Sequence, residues 1–517
     1  MGIHIPTSCH KNGKCRECLV EVTKGMEHLN PRSAVEQHLS DPFRLSCQAH
    51  ITADRGVVAC NTMRRGKLQI EEDAHGLPAG LTTIDPAITR RNGVVFTGNV
   101  PLGKFDGALH GIAMDLGTTT IVLRLHDLES GALLATQSFE NPQRFGGSDI
   151  MARIRYDTDH KGRLLQRTLL GYLGRAIREF HCDPATIYEI VVAGNSTMRD
   201  LFFGLDVYSI GQKPYQSLTE KELSNGQRST TSLIANAKKF RLPIHPEAQV
   251  YGLPLIRGHV GADSAACLLA TSWQAENRLV ALMDIGTNTE LLLGTRDKLF
   301  VASCPAGPAF EGGVISCGMP ALEGAIEAVQ INDDGTLHTQ LIGTAPAEGI
   351  CGSGLVELLG ELRRTGQMTD LGRLANKQNH FSVDLDRNIV LTEADISELA
   401  QAKAANVSGL RIVLEYYGAQ MHDIEMFYLA GGFAKHLNLN AARGIGLIPN
   451  LPDDKIVQVG NASIVGASIA LLSSSSRTKL EQFVTQITHI ELETHEQFFD
   501  HFVEGCKFVP IDSGLMP

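Results

Sequence analysis

Short apolar runs that end in turns rich in Gly and Thr recur along the chain from about residue 109 onward. Four of these runs predict strands, in GIAMDLGTTTIVLRL, IYEIVVAGNSTM, RLVALMDIGTNTELLL and EMFYLAGGFAKHL. Stretches with helical spacing lie between them and predict helices over Gly162–Phe180, Ala321–Val329, Leu355–Thr365 and Glu393–Tyr417. Strands that alternate with helices are typical of an α/β fold. The SSSSR run at 473–477 predicts a loop before a terminal strand and helix.

The first 108 residues follow a different pattern. Residues 1–75 form a cysteine-rich segment, and residues 76–108 are rich in Gly and Pro and have no helical periodicity. We therefore expect a small module over 1–75, a linker over 76–108, and a large α/β region after it. Within that region, a repeated motif divides the chain into halves at 109–277 and 278–517.

Composition and charge narrow the function classes. The 517 residues are 43% hydrophobic and 20% charged, with a net charge of −11, so a folded protein with a substantial core is expected. No basic patch marks a nucleic-acid surface, and the longest apolar runs fall short of the ~18 residues that suggest a membrane span. The first residues contain no apolar segment after a basic one, so we expect no signal peptide and a cytoplasmic location.

Cysteines are concentrated at the start of the chain. Five of the 11 lie within the first 60 residues, and four of these follow the pattern C-x5-C-x2-C with a distant fourth member: Cys9, Cys15, Cys18 and Cys47. Zinc sites usually bring their ligands in two close pairs, whereas plant-type [2Fe–2S] ferredoxins place three cysteines in one loop and a fourth far away. Gly13 allows the loop to turn its backbone N–H groups toward the sulfurs. The spacing favours a [2Fe–2S] cluster on these four thiolates, with zinc or unligated thiols as the alternatives.

Two features of this segment depart from a complete ferredoxin. Ferredoxin domains of this kind carry a β-hairpin and a helix before the first cysteine, but only eight residues precede Cys9. Cys60 lies outside the ligand pattern, and we expect it to be a small buried residue.

Two segments of the α/β region repeat the same motif. AMDLGTTTIVL at 113–123 and LMDIGTNTELL at 282–292 share an apolar strand, an Asp, a Gly and two Thr residues. At each turn, Gly117 or Gly286 permits close approach, and successive N–H groups with Thr hydroxyls make a concavity for anions. Asp115 and Asp284, at the strand ends, are suited to hold Mg²⁺ through water. Two such hairpins facing each other can clamp one polyphosphate. Neither a P-loop nor a dinucleotide-binding fingerprint is present.

The two hairpins, followed by LAGGFAKH at 429–436, resemble the ASKHA superfamily of acetate and sugar kinases, heat-shock-seventy proteins and actin. The resemblance implies a two-lobed, actin-like (ribonuclease H-like) ATPase domain whose phosphate-1 and phosphate-2 motifs are 115–120 and 284–290. GADSAACLLA would be the connect-1 helix, which makes Asp263 the acid that orients the attacking water or Mg²⁺, and GNASIVGASIALL would be connect-2. The implied contacts to ATP and Mg²⁺ are Asp115, Asp284, Gly117, Thr118, Thr119, Gly286, Thr287, Asn288, Glu311, Gly352, Ser353, Gly354, Gly431 and Gly432.

Some of these residues have a structural alternative. Asp263 can instead be an acid that a helix N-terminus favours. The Gly-rich pieces AGPAFEGG and GICGSGL can instead serve tight packing of helix on strand. Asn195, in AGNSTM, ends a strand and has an uncertain role beside the cleft.

A small α+β ferredoxin-like [2Fe–2S] module ahead of an ASKHA domain, together with NPQRFGGSDIMARI, GPAFEGG, GICGSGL and LAGGFAKH, resembles the reductive activators of corrinoid proteins. The resemblance covers essentially the whole chain. It implies that the protein uses ATP and Mg²⁺ to pass one electron from the cluster to Co(II) of a corrinoid partner, regenerating the Co(I) form for methyl transfer. It also implies an external low-potential electron donor and a possible homodimer.

Three other functions remain open at this point. The chain can be an ASKHA activator of another low-potential enzyme, such as a radical dehydratase. It can be a small-molecule kinase with a structural zinc module, or a nucleotide-regulated binding protein without turnover. Iron content and ATP-dependent cobalt reduction distinguish these alternatives.

Overall fold

The computed structural model of the chain describes residues 9, 11–13, 18–63, 69–70, 81, 83–375, 379–432 and 434–511. The chain divides into two units. The first contains residues 1–270 and 463–484, and the second contains residues 271–462 and 485–517. Relative to the predicted halves, the structure assigns 463–484 to the first unit.

The cysteine-rich module is built on a small antiparallel sheet in the order β2-β1-β3. Its strands are β1 (Leu19–Lys24), β2 (Phe43–Leu45) and β3 (Ala59–Thr62). The alternation in the CLVEV segment predicts β1, where Leu19, Val20 and Val22 are buried. Cys60, which we expected to be buried, is exposed on β3, an edge strand of this sheet.

The segment expected to be a linker contains folded structure. Residues 88–104 form a three-stranded antiparallel sheet in the order β5-β6-β7. Its strands are β5 (Ile88–Arg91), β6 (Val94–Thr97) and β7 (Val100–Lys104). Gly93 and Gly98, both with positive φ, form the two turns, so the glycines taken as linker residues are hairpin turns.

The first unit is centred on a seven-stranded sheet in the order β12-β13-β11-β8-β9-β10-β4. These strands are β4 (Gln69–Ile70), β8 (His110–Leu116), β9 (Thr120–Asp127), β10 (Leu133–Glu140), β11 (Ile187–Ala193), β12 (Leu233–Asn236) and β13 (Gln249–Gly252). β8, β9 and β10 form an antiparallel meander, and β11 and β13 continue the sheet in parallel on the other side of β8.

The helices of this unit pack on its sheet or lie at its end. They are α1 (Ile150–Asp159), α2 (Leu164–Glu179), α3 (Ser196–Phe203), α4 (Leu218–Ser224) and α5 (Ala262–Ala270), with α9 (Ala462–Leu472) and α10 (Ser474–Phe483) returning from later in the chain. The expected loop at 473–477 is therefore wrong. Ser473 caps α10 by accepting a hydrogen bond from the N–H of Ser476, so the serine run begins a helix.

The second unit repeats this plan. Its main sheet has the order β23-β22-β14-β15-β16-β24, again with an antiparallel meander of three strands and parallel strands on the far side of the first. The strands are β14 (Val280–Asp284), β15 (Thr289–Gly294), β16 (Leu299–Cys304), β22 (Met426–Ala430), β23 (Ile456–Gly460) and β24 (Thr488–His489). The shared strand order explains the sequence repeat, because phosphate-1 joins β8 to β9 and phosphate-2 joins β14 to β15.

Further elements complete the second unit. A three-stranded sheet contains β17 (Ala325–Ile331), β18 (Leu337–Leu341) and β19 (Gly349–Ile350), and a hairpin contains β20 (His380–Asp384) and β21 (Ile389–Thr392). The helices are α6 (Gly352–Arg364), α7 (Glu393–Tyr417), α8 (Leu439–Gly444) and α11 (Phe498–Gly505). The predicted helix over Ala321–Val329 is wrong, because ALEGAIEAV has both helical and alternating spacing and pairing with β18 decides in favour of a strand. Among the described residues, no helix is both long and apolar enough to cross a membrane.

Candidate functional site

The phosphate-1 turn follows the buried strand β8, which ends at Leu116, directly after Asp115. A Cβ atom on Gly117 would lie 2.5 Å from the carbonyl oxygen of Thr120, so this tight turn requires glycine. Ser463, at the start of connect-2, donates from its hydroxyl to Oδ1 of Asp115 at 2.9 Å. The sequence repeat therefore predicts the hairpin, and the structure adds a serine that orients the carboxylate.

Three consecutive carbonyl groups of this turn accept hydrogen bonds from one segment of the chain. Asn141 donates from Nδ2 to the oxygen of Gly117 at 2.8 Å and from its backbone N–H to the oxygen of Thr119 at 2.7 Å. Arg153 donates from a guanidinium nitrogen to the oxygen of Thr118 at 2.7 Å. In a trans peptide the N–H points opposite to the carbonyl, so the N–H groups of Thr118 and Thr119 point away from this segment. That arrangement suits a turn that binds an anion with its backbone.

Asn195 connects phosphate-1 to the connect-1 helix. Its Nδ2 donates to the hydroxyl of Thr118 at 3.0 Å, and its Oδ1 caps α3. Gly261, directly before α5, packs against Asn195, since a Cβ on Gly261 would lie 2.5 Å from the Cα of Asn195. Asp263, in the first turn of α5, donates its N–H to the oxygen of Gly194 at 3.2 Å. Asp263 is thus linked to phosphate-1 through Gly194 and the adjacent Asn195. Its catalytic role stays a prediction.

The phosphate-2 turn is held by a glutamate from the Gly-rich segment AGPAFEGG. The Thr287 hydroxyl, buried in the turn, donates to a carboxylate oxygen of Glu311 in a short hydrogen bond. A Cβ on Gly286 would lie 3.3 Å from the oxygen of Asn288 and 3.7 Å from Oε1 of Glu311. Asp284 is the last residue of β14 and Asp115 the second-last residue of β8, and both are partly exposed. The structure therefore brings Glu311 to the phosphate-2 turn, and its contact with the nucleotide stays a prediction.

LAGGFAKH at 429–436, which the ASKHA resemblance makes the adenosine segment, packs next to the end of β14, the strand that leads to phosphate-2. Gly431 has a φ of +120°, and a Cβ there would lie 2.4 Å from the oxygen of Ile285. Its N–H donates to Gly460 at 3.0 Å, and the amide of Gln458 donates to Ala434 at 2.6 Å. Packing therefore dictates Gly431. Gly432 faces open space, since no atom lies within 4 Å of a Cβ placed there, so its contact with the nucleoside stays a prediction.

The GICGSGL segment begins helix α6, which packs against the turn carrying Glu311. A Cβ on Gly354 would lie 2.4 Å from the oxygen of Ile326, so tight packing on β17 explains this glycine. Ser353 is buried, and its hydroxyl lies 3.2 Å from the Cys351 sulfur. The contact of Gly352 and Ser353 with the nucleoside stays a prediction.

Two of the predicted cluster ligands flank the module's sheet: Cys18 comes directly before β1, and Cys47 lies two residues after β2. Cys18 is fully buried, and Cys9 and Cys47 are half-buried. Cys15 lies outside the described residues, and no three described His, Cys, Asp or Glu side chains are grouped so as to hold a metal ion. Gly13 has a φ of +74°, and a Cβ there would lie 2.5 Å from Val35, so this position requires glycine, while the direction of the loop's N–H groups toward the sulfurs stays a prediction.

One amide is directed at a predicted ligand. Nε2 of Gln48 lies 3.5 Å from Sγ of Cys47 and donates to the oxygen of Lys11 at 2.8 Å. A soft thiolate donor set, partly buried and with an amide N–H near one sulfur, fits an iron–sulfur cluster.

A buried ion pair organises the loop that precedes the fourth cysteine. Arg44 donates from Nε to Oε1 of Glu36 at 2.9 Å, and the N–H of Leu45 donates to the same oxygen at 3.0 Å. Burial alone would raise the pKa of Glu36, but the hydrogen bonds from Arg44, Ser33 and Leu45 outweigh it and lower that pKa. The charged pair therefore fixes β2 two residues before Cys47.

Sequence reasoning missed the residues that support these turns from behind. Asn141, Arg153 and Ser463 belong to segments that the motif resemblance includes, but nothing in their local spacing reveals a role. Arg153 and Asn141 are fully buried. A buried Arg within a polar helix is the one signal that points to such a role, and it is visible only once burial is known.

Comparisons with known proteins cover the whole chain. Family models match in three consecutive segments: a 2Fe-2S iron-sulfur cluster binding domain over 1–52, the RACo middle region over 110–276, and the C-terminal domain of RACo, the ASKHA domain, over 278–517. The chain is 28% identical over 578 aligned residues to the corrinoid activation enzyme RamQ of Eubacterium limosum, covering 98% of this chain and 95% of the relative.

Two further proteins show the same similarity. A [Co(II) methylated amine-specific corrinoid protein] reductase of Methanosarcina barkeri is 25% identical over 422 residues, covering 76% of each chain. The solved structure of a reductive activator for a corrinoid, iron-sulfur protein superposes with a TM-score of 0.76 at 28% identity. That superposition covers 100% of this chain and 95% of the other.

Proposed function

The chain belongs to the RACo family of reductive activators, and on that premise we propose that it is an ATP-dependent activator that reduces the cobalt of a corrinoid protein. The observation that carries the proposal is the order of the three matched segments on one chain, with a 2Fe-2S domain ahead of the RACo middle and ASKHA domains. Its cofactors are accordingly a [2Fe–2S] cluster and ATP, with Mg²⁺ as the usual companion of ATP.

The phosphate-1 geometry supports the nucleotide part of this function. The backbone N–H groups of Thr118 and Thr119 would bind phosphate oxygens, since the carbonyl groups of the same peptides, those of Gly117 and Thr118, are held on the opposite side, and the hydroxyl of Thr118 would add a further contact. Asp115 and Asp284 would hold Mg²⁺ through water. Phosphoryl transfer to water needs positioning and charge stabilisation rather than a covalent nucleophile, and Asp263 would orient that water.

The corresponding contacts in the second unit are proposed on the same grounds. Thr287 and Asn288 would contact phosphate, with Glu311 holding Thr287 in place. Gly432, open on its Cβ side, would lie against the nucleoside together with Gly352 and Ser353.

Cys9, Cys15, Cys18 and Cys47 would hold the cluster, which when bound supplies a one-electron carrier. Plant-type clusters have potentials near about −400 mV, and the step from Co(II) to Co(I) needs a lower potential still. Each ~59 mV of uphill one-electron transfer costs about 1.4 kcal/mol. This cost is the physical reason for an ATPase domain on the same chain, because nucleotide binding can bias a two-state protein by several kcal/mol.

The remaining partners are proposed from the family relationship. An external low-potential donor would reduce the cluster, and the chain would act as a homodimer. We also propose a cytoplasmic location, because no disulfide joins any of the ten cysteines in the described part of the chain, and cytosolic thiols are kept reduced.

The test is an anaerobic reduction assay on reconstituted protein. Iron and sulfide analysis should give about two irons per chain, as a [2Fe–2S] centre requires. Protein, reductant, ATP–Mg²⁺ and a Co(II) corrinoid protein should then produce the Co(I) absorption spectrum only when ATP is present. Iron-free protein, or zinc in its place, would favour the kinase alternative, and the absence of ATP-dependent Co(I) would contradict the proposed function.

Matched variants test the cluster site and the nucleotide site separately. Cys47→Ser should abolish cobalt reduction and preserve ATP binding, whereas Cys60→Ser, an exposed cysteine on β3, should behave as wild type. Asp115→Ala should abolish ATP turnover and preserve the cluster spectrum, with the exposed Asp386→Ala as its control. Loss of the cluster in Asp115→Ala, or full cobalt reduction in Cys47→Ser, would contradict the assignment of these sites.

A further inference from the structure

The cluster module is seated on the segment that also holds the phosphate-1 turn. Tyr156, on α1, donates its hydroxyl to the oxygen of His38 in the module at 2.6 Å. The Phe145 ring lies edge-on to both rings, with centroids 5.9 Å from His38 and 5.4 Å from Tyr156. The module therefore contacts the first unit through a hydrogen bond and an aromatic cluster, both fixed to residues 145–156.

Apolar packing continues across the same contact. Leu39, Phe43 and Leu45 of the module are buried in the same hydrophobic core as Phe145 and Ile154. The buried ligand candidate Cys18 belongs to this core as well, and Cys47 packs against it. A buried apolar contact of this kind transmits displacement, because close-packed side chains do not deform continuously.

The same helix, α1, also reaches the phosphate-1 turn, through Arg153. Its guanidinium donates to the oxygen of Thr118 at 2.7 Å, and its Nε donates to the oxygen of Gly147 at 2.9 Å. Asp149 caps the helix by accepting from the N–H of Ala152 at 2.9 Å. Arg153 and Tyr156 are three residues apart and therefore neighbours on one helix. A movement of the Thr118 carbonyl therefore acts on α1 at Arg153, one helical turn from Tyr156, whose hydroxyl holds the module.

The path continues from His38 to the fourth cysteine. Leu39, the next residue, donates its N–H to the oxygen of Glu36 at 2.8 Å. The carboxylate of Glu36 accepts from the N–H of Leu45, two residues before Cys47. Each step from Thr118 to β2 is therefore a direct hydrogen bond or a covalent neighbour, except the step from Arg153 to Tyr156, which is one turn of α1.

We infer that helix α1 couples nucleotide occupancy to the cluster module, with Arg153 and Tyr156 as positioning residues for electron transfer. The inference rests on the proposed function, since it requires phosphate at the phosphate-1 turn. Phosphate on the N–H groups of Thr118 and Thr119 fixes the Thr118 carbonyl, and Arg153 transmits that ordering through α1. The module and its cluster ligands are then held in one position on the first unit. In this way ATP acts on the cluster module, which is the electron-donating part of this chain.

Amide hydrogen exchange of the reconstituted protein tests this directly, with and without ATP–Mg²⁺. We expect ATP to slow exchange at 117–119 and also at 36–47. In Tyr156→Phe, protection at 117–119 should persist, while exchange at 36–47 should become roughly fivefold faster, the factor that one neutral hydrogen bond typically contributes, and should no longer respond to ATP. ATP-dependent cobalt reduction should fall with it, with nucleotide affinity and iron content unchanged.

Tyr208→Phe is the matched control. Tyr208 is half-exposed in the first unit and lies beside α1, and its replacement should leave both exchange responses intact. ATP protection at 117–119 without any change at 36–47 in the wild-type protein would overturn the inference alone. A response of Tyr156→Phe equal to that of wild type would also overturn it. No protection at 117–119 would overturn the proposed nucleotide site and the inference together.

Discussion

Replacing Asn141 with Ala is the sharpest test of the phosphate-1 geometry. The side chain of Asn141 is fully buried and makes one hydrogen bond to the oxygen of Gly117 at 2.8 Å and one from the N–H of Gln143 at 2.9 Å, besides a contact of Nδ2 with the Met198 sulfur at 3.9 Å. The second bond, from Gln143, caps the short helix Pro142–Gly146 and does not involve the turn, so we expect its loss to lower stability and leave affinity unchanged. The first bond holds the turn in the form that binds phosphate.

The magnitude follows from that first bond. A neutral hydrogen bond contributes about 1 kcal/mol net. Without this bond the turn loses that much preference for the form that binds phosphate, and the same free energy is then subtracted from ligand binding. We therefore expect the dissociation constant for ATP–Mg²⁺ to rise about fivefold. The cluster spectrum should not change, because Asn141 makes no hydrogen bond to the cysteine module among its described contacts.

Isothermal titration with a non-hydrolysable ATP analogue measures this change. Asn236→Ala is the control, because Asn236 caps another short helix, Ala237–Lys239, in the same way and lies on β12, away from the turn. It should lower the unfolding midpoint slightly and leave the dissociation constant unchanged. The reasoning is refuted if folded Asn141→Ala binds within twofold of wild type, or if both variants weaken binding equally.

Three further predictions concern pH, a buried ion pair and the adenosine segment. Burial lowers the pKa of His126 from 6.5 to about 4, so the unfolded chain takes up a proton before the folded protein does as the pH falls. The free energy of unfolding should therefore drop by about 2 kcal/mol between pH 7.5 and 5, and urea unfolding of His126→Gln should lack that drop. Arg477 donates to both oxygens of the buried Glu189, so Arg477→Met should cost about 3–5 kcal/mol, and the double variant with Glu189→Leu should recover most of this in the same unfolding assay. Gly431→Ala should lower the unfolding midpoint because its Cβ meets the carbonyl oxygen of Ile285, whereas Gly432→Ala should leave the midpoint unchanged and weaken ATP binding. Equal midpoints for the two variants would contradict the packing argument.

The nucleotide turns were predictable because their information is local. A strand that ends in Asp, followed by Gly and two Thr residues, specifies a tight turn with exposed N–H groups, and its repetition predicts two units of the same plan. The shared strand order of the two main sheets confirms that fold. The cysteine spacing likewise indicates a ferredoxin-type domain, which the match over 1–52 confirms.

Local pattern failed where two periods compete or where capping decides. The segment Ala321–Val329 has apolar residues that suit a helix or a strand, and only its pairing partner resolves the choice. The serine run at 473–477 has the composition of a loop, but Ser473 caps a helix whose Arg477 is needed for a buried ion pair with β11. The supposed linker folds because its glycines close two hairpins.

The sequence by itself indicated the turns, the ferredoxin-type domain and the duplicated domain plan, since each depends on residues close together in the chain. Only the tertiary structure decided what holds those turns in place. Arg153 and Asn141 reach phosphate-1 across at least 20 positions of sequence, and Ser463 reaches Asp115 from 348 residues away. Such contacts leave no periodic signal, because a single long-range hydrogen bond constrains one residue and not the spacing of its neighbours.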